Sequence, residues 1–454
     1  MSHNTLRSAV RGRVLLPGDE EFDTARMPWN LNIDQPVAAV VHVEDADDMA
    51  AVVGYARDAG LSVTAQPNGH GASGDTAGTI LVRTRRLDRV EVDPARRRAR
   101  VGAGTNWGQV LAAAAPHGLT GLAGSSPVVS IVGYTLGGGL SWFGRKYGWA
   151  ADSVRAFDIV DADGHQARVT AESDPELFWA LRGGGGDFAL VTAVEFDLFA
   201  APALFGGLIA WPAEQTEAVR DAFQDITDHA PAELTVWLNR LELPQAPPMI
   251  AIAATYLGEP ARGRELLRRL DTIDGILADT RRELSSAELG TIVNEPTAPG
   301  PGLLRTELLT ALDDTAAEIL LHAPIDPLMG IQLRQLGGAL AEPTRGAVPP
   351  FAEPYALYLQ ATGSDLDTVA AVHATQKRII ADLGARVSGR KPYTVLSPSD
   401  SVAEVFDTGT LDRLRKLKQA RDPHGVFRAN FPVPTEPSVS SPRSDTSAAL
   451  PRRS

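Results

Sequence analysis

Apolar positions fall into two textures along the chain. PVAAVVHV, from position 36, reads as a short buried strand; Met49, Val52, Val53 and Ala56 then recur at helical spacing ahead of Gly60, and SVTAQP follows as a second strand. A further helix is expected over roughly 106–117. VRAFDIVDADGHQARV carries two alternating apolar runs joined by Asp163-Gly164, the dipeptide that supplies the positive φ angles of a tight hairpin. Up to about residue 200 the pattern is therefore α+β. From about 205 to 390 it changes to a helix near 213–229, strands LTVWLNRLEL and MIAIAATYL about a Pro-rich turn, a helix from 259, a strand YALYLQATG and a helix at 366–383. That order predicts an antiparallel sheet covered on one face by helices. NEPTAPGPG, at 294–302, is a loop by its Pro and Gly content. A last helix at 411–421 stops at Asp422-Pro423, and residues 435–454 lack apolar periodicity and are expected to be disordered. No repeat of solenoid length interrupts this plan.

Length and composition narrow the function classes. A chain of 454 residues exceeds one ordinary core, so two domains are expected, one of them assembled from separated segments. A net charge of -13 disfavours nucleic acid and anionic membranes as partners, since phosphate binding draws on clustered Lys and Arg. With no cysteine, disulfides, thiolate metal sites and cysteinyl cofactor bonds are excluded. MSHNTLRSAVRGRVLLPGDEEFD has no apolar stretch of signal-peptide length, and no later run approaches about eighteen apolar residues. The expectation is a cytoplasmic protein, a monomer or a homodimer.

Three glycine-rich stretches carry the candidate chemistry. The first, Gln66-Pro67-Asn68-Gly69-His70-Gly71-Ala72-Ser73-Gly74, follows a strand and lies on a loop. Its glycines let backbone N–H groups approach a ligand and form a nest for a diphosphate. Taken alone, a His in such a turn is ordinarily a surface residue. The others are Gly133-Tyr134-Thr135-Leu136-Gly137-Gly138-Gly139 and Arg182-Gly183-Gly184-Gly185-Gly186-Asp187-Phe188. Neither places G-x-G-x-x-G inside a strand–helix–strand unit, which disfavours a Rossmann site. The chain also lacks a G-x-S-x-G elbow and any H-E-x-x-H spacing, so hydrolase and metalloenzyme readings have no support and no metal is expected.

In order, these motifs resemble the FAD-binding domain of the vanillyl-alcohol-oxidase superfamily and, within it, the berberine-bridge-enzyme-like branch, over about 28–200 and 390–434. PNGHGASG is similar to the loop R-x-G-G-H-x-x-x-G, whose His carries the flavin. GSSPVVSIVGYTLGGGLSWFGRKYG, DPELFWALRGGGGDFALVTAVEFDL and RLRKLKQARDPHGVFRANF are similar to the later segments. The resemblance implies a two-domain α+β flavoprotein: a PCMH-type FAD-binding domain from 1–204, a substrate domain from 205–390, a C-terminal segment at 391–434 that returns to the first domain, and a tail at 435–454. It implies FAD covalently bound through His70, with contacts from Gln66, Pro67, Asn68, Gly69, Gly71 and Ser73 of the first loop. Ser126, Val129, Gly133, Tyr134, Gly137 and Gly138 of the second segment, Val191 of the third and Asn430 of the last are the other implied contacts.

Three departures shape the expected chemistry. Ser126 stands at the family's cysteinyl position, so attachment is expected through His70 only. Gln66 replaces the usual Arg and removes a fixed charge from the loop. Tyr393-Thr394-Val395-Leu396 keeps only the first Tyr of the family's Tyr-x-Asn-Tyr/Phe motif, which leaves Tyr393 as the candidate acid or base. Tyr134, Tyr355, Tyr358 and Trp237 are further aromatic candidates, for each of which core or interface packing is the alternative. Val129 matches the position where a small residue admits dioxygen in the family. The implied reaction is hydride transfer from a C–H next to a hydroxyl or amine of a small molecule to FAD, reoxidised by dioxygen. A natural-product tailoring role fits the family's range of sugars, alkaloids and polyketides. The alternatives are a flavin-dependent oxygenase or oxidative cyclase, and an FAD-binding protein that has lost turnover.

Overall fold

The computed structural model describes residues 3–434, so the expected disorder of 435–454 lies outside the described residues. Strands Ala39–His42 and Ser62–Ala65 both pair in parallel with Thr79–Arg83, and Arg13–Leu15 closes the opposite edge antiparallel. The crossover between the first two is the helix Ala46–Ala59, capped by Asp45, whose side chain accepts from Asp47 N and Asp48 N, and ended by Gly60 at φ 67°. Met49, Val52, Val53 and Ala56 are the face it buries, as their spacing predicts. The strand Thr79–Arg83 is buried at every position, which is why its sequence runs TILVR without alternation.

A second, five-stranded antiparallel sheet follows in the order Val90–Asp93, Arg98–Gly102, Leu190–Asp197, Val154–Val160 and Gln166–Val169. The last two form the hairpin expected at Asp163-Gly164, with Gly164 at φ 86°. The C-terminal segment comes back to the first sheet: Val63 N donates to Val426 O at 2.6 Å and Arg428 N to Val63 O at 3.0 Å, beside the edge strand that leads into the first glycine loop.

The third sheet is antiparallel throughout, in the order Ala278–Asp279, Leu204–Pro212, Met249–Leu257, Leu234–Leu241, Gly330–Gln335, Tyr355–Thr362 and Gly302–Leu309, with Arg282–Leu284 also paired to Leu204–Pro212. Helices Thr216–His229 and Leu366–Leu383 cover one face, where Val219, Phe223, Val372 and Ile379 share a core with Val236, Leu238, Leu333 and Leu357. The opposite face meets the glycine-rich segment of the first half. Trp237 stacks on Trp142 with centroids 3.6 Å apart, and Thr235 Oγ1 donates to Trp142 O at 2.7 Å. Arg145, buried, donates to the carbonyls of Leu234 at 2.9 Å, Ala230 at 3.1 Å and Leu336, which clamps the two halves together.

The strands Gly302–Leu309 and Gly330–Gln335 were not expected from the pattern. The helix expected near 411–421 begins earlier, at Thr408, because Asp407 accepts from Thr410 N as its cap. No helix among the described residues is long and apolar enough to cross a membrane.

Candidate cofactor cavity

The first glycine loop leaves the strand Ser62–Ala65 and is held from three sides. Gln66 Nε2 donates to Gln35 Oε1 at 2.7 Å and to Asn430 Oδ1 at 2.8 Å, linking the loop to the C-terminal segment. Arg83, buried on the neighbouring strand, donates to the carbonyls of Gln66 at 3.1 Å, Ala25 at 3.1 Å and Met27 at 2.6 Å. Burial pushes its guanidinium down to about 10, so it stays charged at neutral pH. The positive charge missing at position 66 is thus present one strand away. Asn68 Nδ2 donates to Val128 O at 2.6 Å and ties the first loop to the second. Gly69 takes φ 75°, a turn a side chain would strain.

His70 sits in this turn with its ring stacked on Trp29, centroids 4.1 Å apart and planes 18° off parallel. Its Nδ1 is buried and has no hydrogen-bond partner among the described residues. Burial alone pushes the imidazole down to about 4, because the charged form loses hydration with no anion to replace it. The ring is therefore neutral across the physiological range.

Two further glycine turns close on the first. In the second, Ser130 caps the short helix Ile131–Leu136, and Tyr134 meets Trp107 edge-on with centroids 5.6 Å apart. In the third, Gly185 N donates to Leu136 O at 2.9 Å. A methyl group on Gly185 would lie 2.3 Å from the Tyr393 hydroxyl oxygen, so only glycine lets that phenol pack here. Asp187, next along, accepts from Ala429 N at 2.8 Å and Val433 N at 2.7 Å, and Lys418 Nζ donates to Asp187 O, Phe427 O and Asp422 Oδ2 at 2.7–2.8 Å. This buried cluster locks the third turn to the C-terminal segment.

Together the turns border a partly open cavity, whose non-atom space, counted with the solvent at its mouth, is about 1090 Å³. Of the residues expected at a cofactor, Gln66, Pro67, Asn68, Gly69, His70, Gly71, Val129, Gly133, Tyr134, Gly137, Val191 and Asn430 line it, as does Tyr393. Ser73, Ser126 and Gly138 stand outside its wall. The third of these faces the other way: a methyl group on Gly138 would meet Val348 at 2.8 Å and Trp149 at 3.2 Å. Tyr355 points to the helix-covered side, within 3.3 Å of Thr227 Oγ1. Sequence reading missed Ser130, Gly185, Gly186 and Arg428 in the wall, and Trp29 behind His70. Arg428 lies two residues before Asn430 in the same segment and was within reach; nothing in the local sequence marks Trp29.

The cavity fits a flavin dinucleotide. Positions that would hold a side chain are kept bare on its wall: a methyl group on Gly133 would meet nothing within 4 Å, and on Gly71 only Asn430 Nδ2 at 4.0 Å. Beside them stands one unpartnered, neutral imidazole nitrogen. Tyr393 donates its hydroxyl to Phe431 O at 3.2 Å, and burial, reinforced by Asp187, pushes the phenol up, so it stays protonated. Among the described residues no Asp or Glu lines the cavity.

A family model described as an FAD binding domain matches residues 37–170. The chain carries an FAD-binding domain in this stretch and has the two-domain α+β fold of berberine-bridge-enzyme-like flavoproteins, consistent with the PCMH-type vanillyl-alcohol-oxidase superfamily. Among curated relatives it is similar to (R)-6-hydroxynicotine oxidase of Paenarthrobacter nicotinovorans, 30% identical over 55% of this chain and 56% of the relative. It is also similar to the FAD-dependent monooxygenase tpcD of Cochliobolus heterostrophus, 36% identical over 43% of this chain and 39% of the relative. The matched stretches thus span about half, or less, of these relatives' lengths. Among solved structures, the BBE-like 1 protein of Physcomitrella patens superimposes with a TM-score of 0.83 at 19% identity, over 96% of this chain and 99% of that one. The grass pollen allergen Phl p 4, with glucose dehydrogenase activity, gives 0.82 at 18% over 95% of this chain and 99% of that one, and an isoleucine-to-valine variant of it described as a glucose oxidase gives 0.82 at 18% over 96% and 99%.

Proposed function

We propose that this chain is an FAD-linked oxidase: FAD is joined to His70, a hydride leaves a C–H bond beside a hydroxyl or amine of a small molecule, and dioxygen is the final acceptor. FAD when bound supplies the hydride acceptor and relays two electrons to oxygen, giving hydrogen peroxide. The observation that carries this reading is His70, neutral and without a partner at Nδ1, stacked on Trp29 where three glycine turns meet. Residues 1–204 and 391–434 would form the cofactor domain and 205–390 the substrate domain. Asn68, Gly69 and Gly71 would hold the diphosphate, with Arg428 as a nearby cation. Tyr134 lines the cavity with a buried, unpartnered hydroxyl, and burial holds that phenol well above its usual range. It therefore orients a substrate oxygen or nitrogen as a donor. With no carboxylate in the wall, the substrate's O–H or N–H proton leaves to solvent. We read Tyr393, whose hydroxyl is committed to Phe431 O, as part of the wall rather than as an acid or base.

Because burial keeps His70 unprotonated down to about pH 4, attachment of FAD to apoprotein is expected to run at a constant rate from pH 8 to 5 and to fail only as the pH nears 4. An inflection near 6.5 in the rate of acid-stable flavin incorporation would show instead an imidazole open to water.

Val129 lines the cavity three residues beyond Ser126. A valine also distinguishes the pollen glucose oxidase variant from its dehydrogenase parent, which supports oxygen access here. The test is to photoreduce the flavin without oxygen and then admit air. Rapid return of the oxidised spectrum supports an oxidase, and persistent reduced flavin contradicts it. Val129→Ile is expected to slow reoxidation about tenfold, about 1.4 kcal/mol of barrier, with anaerobic reduction unchanged. The 36% identity to a monooxygenase favours one second reading, which incorporation of labelled oxygen into product would establish.

A further inference from the structure

The face of the third sheet turned toward Trp142 carries a polar group that FAD binding does not use. Trp237 pairs directly with Arg334, and Gln332 with Tyr358, across neighbouring strands. Alternation sends the intervening Leu238, Leu333 and Leu357 to the helix side and leaves these four on the inner face. The Arg334 guanidinium lies 3.9 Å from the Trp237 ring centroid and 4.0 Å from that of Tyr358, contacts that fix its plane. Its Nε donates to Gln332 Oε1 at 2.5 Å, and Gln332 Nε2 donates onward to Asn239 Oδ1 at 2.6 Å. The terminal nitrogens have no acceptor among the described residues. Glu295, the one carboxylate paired with them among the described residues, stays 3.8 Å away and is 34% exposed, whereas the Arg334 side chain is 11% exposed.

Two phenol oxygens share this position. The hydroxyls of Tyr358 and Tyr134 are both buried without a partner, and the charge of Arg334 acts on each against the effect of burial. Tyr134 lines the cavity, and Arg334 and Tyr358 stand behind it, close enough for the Arg334 charge to act on both phenols. A rigid, largely buried cation with unspent donors is costly unless an anion meets it, and the planar end of a guanidinium matches a carboxylate.

We infer that Arg334 is the receptor for a substrate carboxylate, with the Tyr358 hydroxyl as a second donor, so that the substrate is a small carboxylic acid whose reacting carbon lies toward Tyr134. This rests on the oxidase reading above. The carboxylate is unchanged in the reaction: the C–H bond beside the hydroxyl or amine breaks with its electron pair passing to FAD, the O–H or N–H proton goes to solvent, and a C=O or C=N bond forms. Dioxygen takes the two electrons and two protons.

Equilibrium dialysis of the full-length protein against radiolabelled benzoate, and separately against benzamide, tests this without turnover. Benzoate is expected to bind about tenfold tighter or more. Arg334→Gln is expected to remove that preference at unchanged flavin content, and Arg334→Lys to restore part of it. Tyr358→Phe, which keeps the ring and removes only the hydroxyl, is expected to weaken benzoate severalfold and to leave benzamide alone. Equal affinity for the two probes, or undiminished benzoate binding by Arg334→Gln, overturns the inference while the flavin reading stands. A colourless protein that still prefers benzoate overturns the oxidase reading and leaves the anion receptor.

Discussion

His70→Ala is expected to turn a polypeptide that stays yellow after acid denaturation into a colourless one. The folded variant still takes up FAD, because the glycine turns at 69–71, 133–137 and 185–186 line the cavity independently of the imidazole. Its flavin washes out under acid, and substrate oxidation falls by about tenfold or more, equal to about 1.4 kcal/mol or more of lost barrier reduction. Two features of the site make this one substitution decisive. With no cysteine in the chain, a cysteinyl bond cannot substitute for the lost attachment. Among the described residues that line the cavity, His70 is also the sole imidazole. Acid precipitation followed by absorbance of pellet and supernatant checks it.

Asp187→Ala is expected to produce the largest loss of stability, roughly 3–5 kcal/mol, the range for breaking a buried ion pair. Asp187 is 1% exposed and satisfies two backbone N–H groups of the C-terminal segment, at Ala429 and Val433. Removing it orphans both and takes away the carboxylate 3.6 Å from Lys418 Nζ, leaving Asp422 and two backbone carbonyls to face that buried cation. Because the same contacts set Asn430 and Phe431 against the cavity, flavin retention falls with stability. Asp187→Asn keeps an acceptor and is expected to lose less. Urea titration of the three proteins, followed by far-ultraviolet dichroism, orders them; equal midpoints for wild type and Asp187→Ala would contradict the role given to this cluster.

Local patterns made much of the fold legible. The helix Leu366–Leu383 lies where its period placed it, since Asp365 caps one end and Gly384 turns the other. The hairpin at Asp163-Gly164 and the helix after Asp45 were readable for the same reason: the residues that decide them are adjacent. Gly302–Leu309 and Gly330–Gln335 were not. Leu303, Leu304 and Leu308 fall at spacings as compatible with a helix as with a strand, Ile331 and Leu333 make too short an alternation to mark a strand, and pairing with Tyr355–Thr362 and, for the second, Leu234–Leu241 selects extended backbone.

The site divides in the same way. His70, Val129 and residues of the glycine turns, which line the cavity, could be picked out because short motifs carry them. Tyr393 could be named from its motif, but the contact of its hydroxyl with the carbonyl of Phe431, 38 residues on, could not. Arg334 was invisible as a site because its surroundings, Trp237 and Tyr358, come from two other strands of the sheet. Trp29 reaches His70 only through the folded path of the N-terminal segment.

The bond to His70 is the claim on which the rest depends, and the mass of the denatured protein tests it most directly. The account predicts a single species heavier than the polypeptide by one covalently held FAD, with the added mass on the proteolytic peptide that contains His70 and absent from His70→Ala. A polypeptide of unmodified mass, or flavin carried on any peptide without His70, would contradict it.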